Sequence, residues 1–287
     1  MLKFIKRIIF YTIAGIFIFI GLYFIYPDVS KLRTENPGKT SFMKYRENEW
    51  RKKGIEKTIK QTRVPLSKIS PYVVNAVVIS EDGNFWSHHG FDFGALREAM
   101  QRNMKKKQLR YGASTITQQL VKNLYLSPSK NPVRKIKEAI ITWRIEKSLS
   151  KKRIMELYLN VIEWGDGIYG IEAAARQYYG KSAASLSPKE AAKLAAVIPN
   201  PRRYKVLGSS RYIEKRTAII YSRMVRQGVV VDQIDETPKE MPDISEQQED
   251  ESNVEKENNI PADIEPDKVK PENSNKPLIE NENKPGK

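Results

Sequence analysis

From Ile8 to Tyr26 the chain runs for 19 residues without a charged side chain (IIFYTIAGIFIFIGLYFIY). As a helix this run is about 28 Å long, close to the hydrocarbon thickness of a bilayer. A stretch of that length with no polar face fits poorly as a core helix of a soluble domain. Lys3, Lys6 and Arg7 precede it, and the first acid after it is Asp28. The positive-inside tendency then keeps the N-terminus cytoplasmic and exports everything beyond Pro27. A cleaved signal peptide is the weaker reading, because Tyr26-Pro27-Asp28-Val29-Ser30 offers no small-x-small cleavage site. The expectation is a basic flank over 1–7 and a transmembrane signal anchor over 8–26.

Charge divides the rest of the chain. The formal net charge is +16, from 50 Lys and Arg against 34 Asp and Glu. Residues 232–287 hold 17 acids and 7 bases, so the preceding part carries 43 bases against 17 acids. That preceding part must meet something anionic: nucleic acid, a lipid surface or a phosphorylated substrate. The tail from Asp232 has seven prolines and no aromatic residue, a composition that cannot bury enough apolar area to offset its ordering entropy. A disordered acidic tail is expected there. With no cysteine in the chain, disulfides, thiol nucleophiles and Cys-ligated metals are excluded. The only histidines, His88 and His89, are adjacent, which excludes a two-histidine helical zinc motif.

Between the ends, residues 27–63 read as a membrane-proximal segment of mixed charge and 64–231 as the folded domain. Periodicity from Pro71 to about Gly228 is helical almost throughout. Ser70 is placed to cap Tyr72–Ile79, and Gly94–Met100 continues as an amphipathic helix. Thr115 with Gln118 has the capping-box form, and Pro132 suits a first helical turn. Further helices are expected from Ser150, over Ile171–Tyr178, from Ser187 to Ile198 and over Arg211–Val225. No alternating strand of useful length is present. The fold class is all-α, mainly helical.

Four clusters resist a purely structural reading. Glu81 and Asp82 follow an apolar helix, where carboxylates face the unfavourable pole of the macrodipole. They are either a solvated helix end or a desolvated acid–base pair. Gly112 to Asn123 places hydroxyls and amides at a helix N-terminus, an ordinary cap or a seat for an anion. Arg134, Lys135 and Glu138 lie three to four apart, which a helix-surface ion pair already explains. Lys105, Lys106, Lys107 and Arg110 form a solvated loop or a phosphate-steering patch.

Taken together these segments resemble the peptidoglycan glycosyltransferases of glycosyltransferase family 51, in their monofunctional biosynthetic form. The family pattern Glu-Asp-x-x-Phe-x-x-His-x-Gly-x-Asp falls on Glu81, Asp82, Phe85, His88, Gly90 and Asp92. A second motif looks like Gly112 through Asn123, and an Arg-Lys-x-x-Glu motif falls on Arg134, Lys135 and Glu138. A fourth is similar to Lys151, Ile154, Glu156, Tyr158, Leu159 and Asn160, with Met155 where Leu is usual. The last is similar to Gly170–Ala175 followed by Tyr178-Tyr179-Gly180-Lys181.

The resemblance implies a lysozyme-like head with a small membrane-facing jaw, and polymerisation of lipid II into β-1,4 glycan strands. It implies two catalytic carboxylates: Glu81 as general base, and Glu138 orienting cations or holding a divalent metal, magnesium or manganese, near the pyrophosphate. No other cofactor is implied. The substrate-binding positions it implies are Asp82, Phe85, His88, Ser114, Thr115, Gln118, Gln119, Lys122, Asn123, Arg134 and Lys135. Among these, Lys122, Arg134 and Lys135 would face the leaving pyrophosphate, and Asp82 and His88 would support the base. Expected partners are lipid II, the nascent strand, membrane lipid and other cell-wall synthesis proteins, with no nucleic acid. The expected place is the bacterial inner membrane, single-pass, with the catalytic domain on the periplasmic side. A hydrolase or lytic transglycosylase on a similar scaffold is the alternative, although it has no need of cations around a leaving pyrophosphate. A bifunctional enzyme is disfavoured: Ser-x-x-Lys occurs at Ser127–Lys130 and Ser148–Lys151, but no Lys-Thr-Gly follows.

Overall fold

The computed structural model describes residues 2–107, 112–128, 131–208 and 210–230. Arg110 of the basic run, Lys130 and the acidic segment 232–287 lie outside the described residues.

The N-terminal helix α1 spans Leu2–Gly21 and passes into a 3-10 turn over Leu22–Phe24. Among the described residues, no helix is long and apolar enough to cross a membrane. The uncharged run expected as one span is divided. Only its first 14 residues, Ile8 to Gly21, lie in the α-helix, giving about 21 Å against a hydrocarbon core of about 30 Å.

Residues 27–63, expected to precede the domain, are packed into it. Val29 and Leu32 are buried in the main core. Helix α2, Ser41–Lys52, starts from a Thr40 cap, buries Met43, Arg46 and Trp50, and packs against α5, Ile116–Tyr125. Arginines fasten the preceding segment. Arg144 donates to the carbonyls of Tyr23 (3.1 Å) and Ile25 (2.7 Å), and Arg153 to those of Leu32 (2.8 Å) and Glu35 (2.7 Å).

Eight further helices follow α2 among the described residues: α3 Pro71–Glu81, α4 Phe93–Lys106, α5, α6 Pro132–Ser148, α7 Lys151–Val161, α8 Ile171–Tyr179, α9 Pro188–Val197 and α10 Arg211–Arg226. Sequence signals start several of them. Thr115 and Gln118 form the expected capping box, Ser187 and Glu190 form another, and Asn131 and Ser150 cap α6 and α7. Ser70 departs from expectation. Its hydroxyl donates to the Leu186 carbonyl at 3.0 Å, and Pro71 opens α3 without a side-chain cap.

The core gathers Ile116, Leu120 and Val121 of α5 with Ile141 and Ile145 of α6 and Ile154, Leu157 and Tyr158 of α7. Alanines 191, 192, 195 and 196 let α9 pack closely against α3 and α10. A three-stranded sheet too short for periodicity to reveal joins β1 (Lys60–Gln61), β3 (Ile168–Tyr169) and β2 (Glu163–Gly165) in that order. Lys60 pairs with Ile168 in the parallel ladder, which ties the N-terminal segment to the domain. The molecule is mainly helical, as expected.

Candidate active site

The end of α3 is fastened to the start of α5 by one carboxylate. Asp82 leaves the helix with extended φ and ψ (−162°, 76°). One of its oxygens accepts from the Ile116 N–H at 2.9 Å, and the other pairs with His88 Nε2 at 2.8 Å. The Gly90 N–H donates to His88 Nδ1 at 3.1 Å. That bond leaves Nε2 as the protonated nitrogen, directed at Asp82. Thr115 completes the bracket by donating to the Gly90 carbonyl at 2.7 Å. Gly90 has φ +90°, and an added Cβ would lie 2.9 Å from both Glu146 Cγ and Thr142 Cγ2. Only glycine fits this turn. Phe85 is fully buried beneath the loop, with Lys151 Nζ 4.5 Å from its ring centroid.

This arrangement bears on the two readings of the α5 start, an ordinary cap or a seat for an anion. The N–H groups of Thr115, Ile116 and Gln118 at the start of α5 already meet Gln118, Asp82 and Thr115, and Thr115 and Gln118 are buried, which favours the capped reading. Asp82 is the anion that complements this helix pole, which also explains a carboxylate at the wrong end of α3. Ser114 is exposed, and Asn123 donates to the Gln119 carbonyl within its own helix at 2.9 Å.

Glu81, beside Asp82, has a side chain only 10% exposed. Gln119 Nε2 donates to one oxygen at 3.0 Å, and Arg216 Nη2 approaches the other at 3.4 Å. The Tyr158 hydroxyl donates to Gln119 Oε1 at 2.8 Å, which turns the amide nitrogen toward Glu81. Burial pushes the Glu81 carboxyl above the usual range, Asp82 adds to that, and Arg216 and Gln119 oppose it. Burial and the two nearby carboxylates hold Tyr158 well above the ordinary phenol value, so it stays a donor. Arg216 and Tyr158 are additions to the predicted site. Tyr158 belongs to a motif visible in the sequence, whereas nothing local marks Arg216, which reaches Glu81 across 135 positions.

A second cluster lies further along α5. Glu138 is buried, accepts from Arg134 Nη1 at 2.9 Å and pairs with Lys135. This is the expected spacing, but the carboxylate is interior and not a helix-surface partner. Lys122 faces the same group. Burial and the charges of Arg134 and Lys135 lower its pKa, and Glu138 opposes them. Its ammonium lies 5.4 Å from the Phe42 ring centroid. Three cations around one carboxylate leave an excess of positive charge. Gln119 and Lys122 are three apart on α5, hence neighbours on one helix face.

The donor set does not fit a divalent cation at Glu138. Both carboxylate oxygens are already engaged by cations. Among the described residues no group of three His, Asp or Glu side chains could hold a metal ion.

A desolvated carboxylate bonded to Gln119, with Lys122 and its neighbouring cations one helix turn from that glutamine, can activate a nucleophile beside a departing anion, the requirement of a group-transfer enzyme. The family model described as Transglycosylase matches residues 48–225, and the chain belongs to that family. A biosynthetic peptidoglycan transglycosylase of Dechloromonas aromatica (strain RCB) is 50% identical over 189 residues, 66% of this chain and 82% of the relative. The protein of the same name from Nitrosospira multiformis is 43% identical over 223 residues, 78% of this chain and 96% of its own. That of Azoarcus sp. (strain BH72) is 48% identical over 181 residues, 63% of this chain and 78% of its own.

Proposed function

We propose that this protein is a monofunctional peptidoglycan polymerase that extends glycan strands from lipid II. The acceptor is the 4-hydroxyl of a lipid II GlcNAc, and the donor is the growing chain held through MurNAc C1 on undecaprenyl pyrophosphate. Glu81 takes the hydroxyl proton as the oxygen attacks C1 from the face opposite the leaving group. The C1–O bond to pyrophosphate breaks, the pyrophosphate departs with the electron pair, and a β-1,4 link forms with inversion. Gln119 and Arg216 hold the carboxylate in place. Lys122, Arg134 and Lys135 stabilise the charge that grows on the pyrophosphate, and Glu138 fixes the latter two. No step is routed through a metal ion.

The observation that carries this reading is a desolvated Glu81 held by Gln119 of α5, with Lys122 one turn further along that helix facing the Arg134, Lys135 and Glu138 cluster of α6. The uncharged stretch of α1, continued through Tyr26, is read as the membrane anchor that keeps the cleft near a lipid-linked substrate. The exposed apolar residues of α4, including Phe93, Met100 and Met104, are read as part of the membrane-facing jaw of a lysozyme-like head. Membrane lipids and other cell-wall synthesis proteins are the partners this setting supplies, on the outer face of the inner membrane.

The test is incubation of the detergent-solubilised full chain with lipid II, with product resolved on a gel. Polymer should form, and Glu81→Gln should cut the rate by about 10²-fold or more while lipid II binding is largely retained. Near-normal turnover in folded Glu81→Gln protein, or cleavage of preformed glycan in place of synthesis, overturns the reading.

A further inference from the structure

Beside the catalytic cluster, and sharing Arg134 with it, the structure contains a cavity of about 680 Å³ between residues 23–44, the end of α5 and the first turns of α6. Its size is that of a small-molecule site. Lys31, Lys39, Lys44, Arg134 and Lys137 line it with one carboxylate, Glu35, while Lys39 and Arg134 also pair with Glu47 at 2.7 Å and Glu138 at 2.9 Å, which are not part of the lining. Neither Glu81 nor Gln119, Lys122, Lys135 or Glu138 is part of the lining. The wall is preformed, because Arg144 and Arg153 hold the carbonyls of Tyr23, Ile25, Leu32 and Glu35.

The position narrows the ligand. Tyr23, Tyr26 and Pro27, which follow the apolar helix, form one edge of the cavity. Leu22, Phe24, Ile25 and Tyr26 are exposed beside it, and the Phe24 ring meets Trp143 edge-on at 6.2 Å. A ligand suited to both features has an anionic head and apolar tails. We propose that this cavity binds the phosphodiester headgroup of an anionic glycerophospholipid, with its acyl chains along the exposed residues 22–26. The inference rests on the anchored reading of α1 given above. The lipid-linked substrate also carries phosphate, but Lys31, Lys39 and Lys44 of the lining come from the segment before α3 and are not among the residues assigned to the leaving pyrophosphate.

The test uses the full chain in a neutral detergent and calorimetric titration with dihexanoyl phosphatidylglycerol. Dihexanoyl phosphatidylcholine, inorganic phosphate and farnesyl pyrophosphate are titrated in parallel. Saturable binding of the phosphatidylglycerol is expected, with little for phosphatidylcholine or phosphate. The double variant Lys31→Gln/Lys137→Gln should weaken it by about tenfold or more, and Lys44→Gln alone should weaken it without disturbing the contact of Lys137 with the Tyr23 ring. Lipid II turnover in neutral detergent should stay unchanged in these variants. Lys152→Gln/Lys215→Gln, at exposed positions outside the cavity, should bind as the parent does.

Equal affinity in all variants, or equal affinity for phosphatidylcholine, overturns the proposal. So does phosphate binding as tightly as the lipid, since the tails would then contribute nothing. Competition by farnesyl pyrophosphate together with lost turnover in the cavity variants would make this part of the substrate site, and also overturns it. A chain that binds phosphatidylglycerol as expected yet makes no polymer overturns the catalytic reading alone.

Discussion

Glu81 sits between opposed influences, and its titration should report both. Burial raises its proton affinity in the folded state, so the folded chain holds a proton that the unfolded chain has released above the ordinary value of 4.5. The stability linked to that proton is complete below 4.5 and is lost as pH rises through the raised value. An amide at this position does not titrate. The melting temperature of Glu81→Gln relative to the parent should therefore become more favourable between pH 4.5 and neutrality. A difference independent of pH would remove the desolvation argument. Arg216 acts in the opposite sense. Arg216→Gln should move the acid limb of kcat/KM toward higher pH, and Arg216→Lys should restore part of the shift. A rate lowered equally at every pH would make Arg216 a packing residue only. Lys135 separates charge from stability. Its side chain is 53% exposed, and Arg134 remains on Glu138 without it. Lys135→Met should leave the melting temperature nearly unchanged while turnover at saturating lipid II falls by about 10²-fold.

Helix α5 unites the site, and its first turn depends on a residue outside it. Asp82→Asn keeps an acceptor for the Ile116 N–H but removes the charge that complements the helix pole and His88. A loss of about 1–2 kcal/mol is expected, measured by denaturant unfolding, with a rate loss because Gln119 rides on the same turn. No change in either would detach Asp82 from α5. The elements legible in the sequence are those with local instructions: the Thr115–Gln118 box, Asn131-Pro132 and the Ser187–Glu190 box. Ser70 misleads because its hydroxyl finds a distant carbonyl, that of Leu186. Helix α2 is hidden by its charges, since one of its inward positions is Arg46, neutralised by Glu163 at 2.9 Å across 117 residues. Strands of two or three residues carry too little pattern to read. Within the site, the charged motifs are visible in the sequence, whereas the contact of Asp82 with α5 and that of Arg216 with Glu81 arise only when distant segments meet.

For the whole molecule, the place to cut is earlier than the sequence suggests. Pro27 reads as the boundary, but Arg144 is bonded to the carbonyls of Tyr23 and Ile25, and Phe24 packs on Trp143. Removing residues 1–21 should leave the unfolding midpoint of the domain unchanged. Removing 1–26 should cost about 1–3 kcal/mol, read from denaturant unfolding. Both truncations should polymerise poorly on vesicles and recover in detergent. Equal stability of the two would show that the Arg144 bonds contribute nothing. With residues 23–36 bolted down by Arg144 and Arg153, no slack chain separates the end of α1 from the cleft. On the anchored reading of α1 proposed above, the altitude of the cleft above the bilayer is a fixed dimension of the protein, set by a strut and not averaged over a swinging leash. On that reading a lipid-linked substrate would meet the cleft at one height on every encounter. A flexible insert after Pro27 would let that height vary from one encounter to the next.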